Sequence, residues 1–287
     1  MRIFQSLWTK PAIDQRWDQS GQLEANVWLY ALSAVYAKKQ GVTLVLYTDT
    51  LGQKLLGHLP YDKIYTTLNN IPSNIPTMIW AYGKFMALRE EPLGSVHIDG
   101  DVFLKKPAVI KELSSKDYDL IIQNKEGTHN TYQGVENVMA RFGEIDYEKY
   151  DSYRTAFNCG VVGFTNAALK KTYLDYYFGA TDSVARNKGL VEHMKNDKYF
   201  CVDLTLEQHS LAIMAQKYKT KILLKVANED YWGNAVRQRA EELGYQHLIG
   251  KEKYEYIDRV KFTLLLLDKD IYFKTKSILQ KYNNTLT

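Results

Sequence analysis

Cysteine is nearly missing from this chain of 287 residues: only Cys159 and Cys201 occur, each in an apolar context. That argues against a disulfide framework and fits a reducing, cytoplasmic compartment. Long hydrophobic runs are missing too. The longest aliphatic stretch, Leu264 to Leu267, falls far short of the roughly 20 residues that span a bilayer. Arg2 to Trp8 reads as a first strand and not as a signal peptide. Charge of one sign is also scarce. A net charge of +4 with no basic run argues against nucleic acid as a partner. It suits an anionic small molecule, and it leaves room for peripheral contact with a membrane surface. Internal repeats and low-complexity linkers are absent. With 45% hydrophobic residues, the expectation is a single domain over 1–287.

What is present is a regular alternation. Leu23 to Gln40 carries helical spacing and stops at Gly41. Val42 to Tyr47 is a β-branched and aliphatic strand, Leu51 to Leu59 a short helix, and Ile64-Tyr65 a short strand. Thr77 to Glu91 is helical again, ended by Pro92. Strands alternating with helices predict an α/β fold built on a mostly parallel, doubly wound sheet. Residues 1–107 would form a nucleotide-binding half, and 108–287 an acceptor half with a helical tail. Asn124 to Thr155 is polar and reads as an irregular excursion with a helix near Val135 to Phe142. A strand over Ala156 to Phe164 follows, then helices over Ala167 to Phe178 and Thr205 to Tyr218, and a strand over Ile222 to Val226.

The apolar run Ser95 to Leu104 is broken by Asp99-Gly100-Asp101. Two carboxylates at the carboxyl end of a buried strand can face one hard cation, which would in turn hold an anionic diphosphate. A solvated turn is the bland alternative. Asp117-Tyr118-Asp119 and Asp268-Lys269-Asp270 share the spacing without the position. Far downstream, His247-x-x-Gly250-x-x-Lys253 offers what such a site still lacks. The imidazole is a ligand suited to manganese or zinc. The glycine admits close approach of backbone to a phosphate, and the lysine neutralises a departing diphosphate.

Asp99-Gly100-Asp101, Asn158-Cys159-Gly160, Glu207-Gln208 and His247-x-x-Gly250-x-x-Lys253 occur in the order found in nucleotide-sugar glycosyltransferases of GT-A type. From Arg2 to Lys253 the chain resembles the glycogenin-like and bacterial galactosyltransferase group. The resemblance implies a single Rossmann-type GT-A domain with Asp99, Asp101 and His247 holding Mn²⁺ (or Mg²⁺). It implies that Gly250 and Lys253 contact the donor diphosphate, and that Lys84, Asp99, Asn158, Gly160 and Gln208 contact the donor. A UDP-sugar donor and a hydroxyl acceptor, such as a glycan or lipid-linked sugar, are implied as well, with retention of configuration and a role in glycan or surface-polysaccharide synthesis. The chain departs from the family pattern at Tyr254-Glu255, which replace Pro-Trp, at Glu207, which replaces Asp, and at His97-Ile98, which replace Tyr-Leu.

On residues alone, Lys84 shares a helical face with Trp80 and Leu88, where a lysine can also snorkel to water. Thr205 and Gln208 fit a capping box, making Glu207 a first-turn acid whose ionised form is favoured. Such a group is suited to positioning the sugar or stabilising a developing cation, with Asp203 as its substitute. Trp232 is a candidate for stacking on an acceptor sugar, against the commoner fate of burial. Two rivals remain. A non-catalytic nucleotide-sugar-binding protein would need the same ligands. A sugar-1-phosphate nucleotidyltransferase would need a glycine-rich loop after the first strand, where this chain has Leu7-Trp8-Thr9-Lys10-Pro11.

Overall fold

The computed structural model describes residues 1–14, 21–128, 130–197, 200–224 and 240–286. β1 (Arg2–Leu7) leads through the short helix α1 (Lys10–Ile13) to the long helix α2 (Gln22–Lys39) and β2 (Thr43–Thr48). α3 (Thr50–Leu56), β3 (Lys63–Tyr65), α4 (Tyr82–Glu90), β4 (Val96–Ile98) and β5 (Val102–Leu104) follow. Next come α5 (Pro107–Leu113), β6 (Leu120–Gly127), α6 (Asn130–Arg141), α7 (Tyr147–Asp151) and β7 (Thr155–Phe164). α8 (Ala167–Arg186), α9 (Lys188–Asn196), a π-helical turn (Leu204–His209) and α10 (Ser210–Lys217) precede β8 (Ile222–Leu224) and β9 (Tyr245–His247). The chain closes with α11 (Glu252–Glu255), α12 (Ile257–Leu267) and α13 (Lys269–Leu286).

Among the described residues, one sheet runs in the order β3-β2-β1-β4-β7-β6-β8, and β5 and β9 form a separate pair. All neighbours in the large sheet are parallel except β7, which is antiparallel to both β4 and β6. The inner strands are apolar on both faces because both faces are covered. Ile3, Leu7, Leu44 and Leu46 join one hydrophobic layer with α2, α12 and α13. Phe4, Val45 and Tyr47 join the other, with residues of α4, α8 and α10. No helix of the described residues is long and apolar enough to cross a membrane.

Three expectations change. The excursion over 124–155 is not irregular: it begins as the end of β6, where Lys125 and Glu126 pair with Phe157 and Ala156, and continues as α6 and α7. Its polar residues mislead because the outer half of β6 is only half-buried. The helix predicted from Thr77 begins at Tyr82, because Ile79 N and Tyr82 N bond three residues back in tight turns. The helix predicted over Thr205 to Tyr218 opens with the π-helical turn.

Both neighbours of β1 run parallel to it, and the strand order departs from it in opposite directions. The crevice beyond the carboxyl ends of β1 and β4 is therefore the topological switch point, where doubly wound sheets take ligands.

Candidate functional site

β4 ends at Ile98, and the chain turns through Asp99-Gly100-Asp101 into β5. Backbone bonds pin that turn. Asp99 N donates to Gly160 O (2.9 Å), Val102 N to Asp99 O (3.1 Å), and Leu248 N to Asp101 O (3.1 Å). Gly100 leaves room for Tyr30: a Cβ there would lie 2.1 Å from Tyr30 Cε2. Gly100→Ala is expected to cost about 1–3 kcal/mol through overpacking. A thermal melt checks this, and an unchanged midpoint would mean the ring yields freely.

β9 pairs antiparallel with β5, and His247 stands opposite Val102. This register carries the late imidazole to the acidic turn. One ligand atom from each of Asp99, Asp101 and His247 lies within 4.8 Å of the others. His247 Nε2 is 3.3 Å from Asp101 Oδ1. Adjacent ligands of an octahedral ion with bonds of roughly 2.1 Å stand about 3 Å apart, close to the His247–Asp101 separation. Asp101 Oδ1 is buried without a hydrogen-bond partner. On the other side of the ring, His247 Nδ1 is 2.7 Å from Gln123 Oε1. Two carboxylates and an imidazole suit manganese or magnesium. The residues fit a divalent cation. The two control pairs do other work: Asp119 Oδ2 accepts from Lys221 N, and Asp268 Oδ1 from Ile271 N.

Lys253 Nζ lies 2.9 Å from Asp101 Oδ2. Burial works to raise the Asp101 carboxyl, but the Lys253 ammonium, the largest opposing influence, overcomes it and holds the group below the usual carboxylate range. Gly250, at φ +60°, lines the same cleft with open space where a Cβ would be.

Lys84 is buried and does not snorkel. Its ammonium donates to Glu207 Oε1 (2.8 Å) and Cys159 O (3.1 Å), and it sits 2.9 Å from Asp99 Oδ1. Three partners use three N–H bonds. Burial lowers its basicity, but Asp99 and Glu207 outweigh this and raise the pKa well above that of an ordinary lysine. Lys84 thus stands behind Asp99 as a strut between two acids.

Glu207 does fall in a first turn, but the capping box around it is not formed. It lies inside the π-helical turn, whose N-cap, Asp203, makes no side-chain cap bond, and Thr205 Oγ1 has no hydrogen-bond partner. Burial pushes its carboxyl up to about 7, with Lys84 opposing. The ionised form is therefore penalised, contrary to the helix-dipole argument. Between the ordinary value of 4.5 and about 7, the folded state keeps a proton that the unfolded state has released. Its contribution to stability is complete below pH 4.5 and is lost as pH rises through 7, an effect of up to about 3 kcal/mol. In the metal-free protein, the melting midpoint of wild type relative to Glu207→Gln is expected to fall over that interval. A constant gap would contradict it.

Asp203 is fully buried, accepting from Ala81 N (3.1 Å) and Tyr177 OH (2.8 Å). It fixes the start of α4 and is not among the residues that line the cleft. Trp232 lies outside the described residues.

These groups open into a cleft of about 510 Å³ at the switch point, whose lining also includes Ser6 to Trp8 and Gln208. Asn158 and Gly160 also line it. Asn158 Oδ1 accepts from Gly160 N, and its Nδ2 donates to Glu126 Oε1 (2.7 Å). Tyr132 OH ties Glu126 to Gln208. Gln123, Glu126 and Tyr132 were not anticipated from sequence. Gln123 carried a readable signal, since it breaks the apolar run Leu120 to Ile122 much as Asp99 breaks its own.

A family model matches residues 1–277. The chain belongs to DUF6734, a family of unknown function. No curated protein sequence matches it. Among solved structures, the chain is similar to the inositol-1-phosphate CTP transferase from T. maritima. The identity is 13% over 85% of this chain and 96% of that one, at a TM-score of 0.39.

Proposed function

We propose that this protein is a divalent-cation-dependent glycosyltransferase of GT-A type, moving a sugar from a nucleoside diphosphate to a hydroxyl acceptor. The observation that carries the reading is the meeting of Asp99, Asp101 and His247 with Lys253 at the switch-point cleft. A bound Mn²⁺ or Mg²⁺ would supply Lewis-acid neutralisation of the leaving diphosphate. Lys253 adds a mobile positive charge on the same side, released from Asp101 when a phosphate offers a better partner. Lys84 holds Asp99 and Glu207 in place. Glu207 and Gln208 face the transferred sugar, where Glu207 stabilises positive charge developing at the anomeric carbon when ionised. In the reaction, the bond from that carbon to the diphosphate oxygen breaks, a bond to the acceptor oxygen forms, and the acceptor proton leaves.

Nucleotidyl transfer could use the same ligands. Against it stands the loop after β1: Thr9 N is already bonded to Asp49 Oδ2 (2.8 Å), and Pro11 has no N–H to offer a triphosphate. The products separate the readings. Incubation with Mn²⁺ and UDP-, GDP- or CMP-sugars is expected to release nucleotide slowly by hydrolysis without an acceptor, as nucleoside diphosphate from the first two. Pyrophosphate release from a nucleoside triphosphate and a sugar phosphate, with no turnover of nucleotide sugars, would favour the rival. Tight binding without turnover in either assay would favour a binding protein.

A further inference from the structure

Gln123 is fully buried on β6, two strands from the acidic turn, in a stretch otherwise apolar. Its Oε1 is the meeting point of two donors, Tyr245 OH at 2.6 Å and His247 Nδ1 at 2.7 Å. Its Nε2 is buried without a hydrogen-bond partner. Between β6 and the imidazole lies Gly160, and only a glycine leaves the gap open. A Cβ there would lie 2.6 Å from Gln123 Oε1 and 2.6 Å from His247 Cε1. The chain thus clears a path through β7 so that one amide oxygen can reach one ring nitrogen.

That contact decides the chemistry of the opposite nitrogen. A carbonyl oxygen can only accept, so Nδ1 must carry the hydrogen. On an uncharged ring, Nε2 then presents its lone pair. Nε2 faces Asp101 Oδ1, itself buried and without a hydrogen bond. Two electron-rich atoms 3.3 Å apart leave the position between them to a cation. We propose that Gln123 is the positioning residue of the cation site, its amide oxygen holding His247 in the tautomer that can ligate a metal. The inference rests on the reading of Asp99, Asp101 and His247 as metal ligands. A neutral amide in this role fixes the ring without adding negative charge behind it, unlike the carboxylate partners that often serve metal-bound histidines. Reversal of the amide would invert everything: both contacts would meet an NH₂ group, the hydrogen would move to Nε2, and the ring would donate to Asp101 and be unable to ligate.

Histidine side-chain ¹⁵N NMR of the metal-free protein at about pH 8.5, where an ordinary imidazole is neutral, reads the tautomer directly. Wild type is expected to show His247 protonated at Nδ1, and Gln123→Met to lose that preference. Mn²⁺ titration by calorimetry or EPR is expected to show about 10–100-fold weaker binding in Gln123→Met. Tyr245→Phe, which keeps the Gln123–His247 contact, is expected to bind as wild type does. The Nε2–H tautomer in wild type would overturn the proposal, as would Gln123→Met binding Mn²⁺ like wild type. If wild type shows the Nδ1–H tautomer yet binds no Mn²⁺, the metal reading fails and the proposal falls with it, while the ring contact stands. Should Gln123→Met fold poorly, Gln123→Glu, which keeps an acceptor oxygen, is expected to retain the Nδ1–H tautomer. Its loss there would also overturn the proposal.

Discussion

Asp101→Asn is expected to abolish catalysis while leaving the fold intact. Asparagine keeps the shape of the side chain and removes the charge that faces both His247 Nε2 and Lys253 Nζ. If that carboxylate is shared between the cation and the lysine, Mn²⁺ binding should weaken by at least about 100-fold. Nucleotide-sugar turnover should fall by about 1000-fold or more, since Lewis-acid stabilisation is worth several kcal/mol. Stability of the metal-free protein should change little, because the lost ion pair is offset by relief from burying a charge whose Oδ1 has no hydrogen bond. Calorimetric Mn²⁺ titration, nucleotide-release kinetics and a thermal melt on the same preparation check the three parts. Full activity in the variant would remove Asp101 from the mechanism.

Lys84→Met is expected to produce the largest loss of stability, about 3–5 kcal/mol, because it leaves an acid buried without its cation. Glu207 is nearly inaccessible and Asp99 only partly exposed, and both lean on the same ammonium. The loss should shrink toward pH 5, where Glu207 can take up a proton. A lysine that merely touched a donor phosphate would behave differently: its removal would raise KM and leave the melting midpoint alone. Denaturant unfolding at two pH values distinguishes the two. A wild-type midpoint at both would contradict the strut assigned here.

The difference between these two lysines marks the limit of what sequence conveys. Lys253 looked like a cation for the donor diphosphate, and Lys84 like a second basic contact to the donor. One lies beside Asp101 at the cleft wall, whereas the other has its three N–H bonds committed to Cys159, Glu207 and Asp99. Only the fold brings those partners together, from strands and turns far apart in the chain. Asp203 and Glu207 make the same point. Both are acids on neighbouring turns, yet the π-helical geometry sends Asp203 to Ala81 and Tyr177 and leaves Glu207 on the cleft.

Legibility was best where local rules dominate. α2 ends where Gly41 adopts positive φ, β1 and β2 follow their apolar runs, and the acidic turn falls at the end of a buried strand. Pairing across distance was not readable. Nothing in Thr155 to Phe164 announces that β7 runs antiparallel, and nothing in Tyr245 to His247 announces β5 as its partner. Yet that last register is what brings His247 to the acidic turn. The halves divided at 107 are also interleaved here: His247 from the second completes the turn begun by the first, and α12 and α13 cover α2.

The most direct test is an anomalous difference map from crystals grown with Mn²⁺ and a nucleoside diphosphate. One peak is expected among Asp99, Asp101 and His247 Nε2, with phosphate oxygens completing its coordination and Lys253 turned toward them. A manganese peak elsewhere, or none and His247 Nε2 found donating to Asp101, would contradict the account.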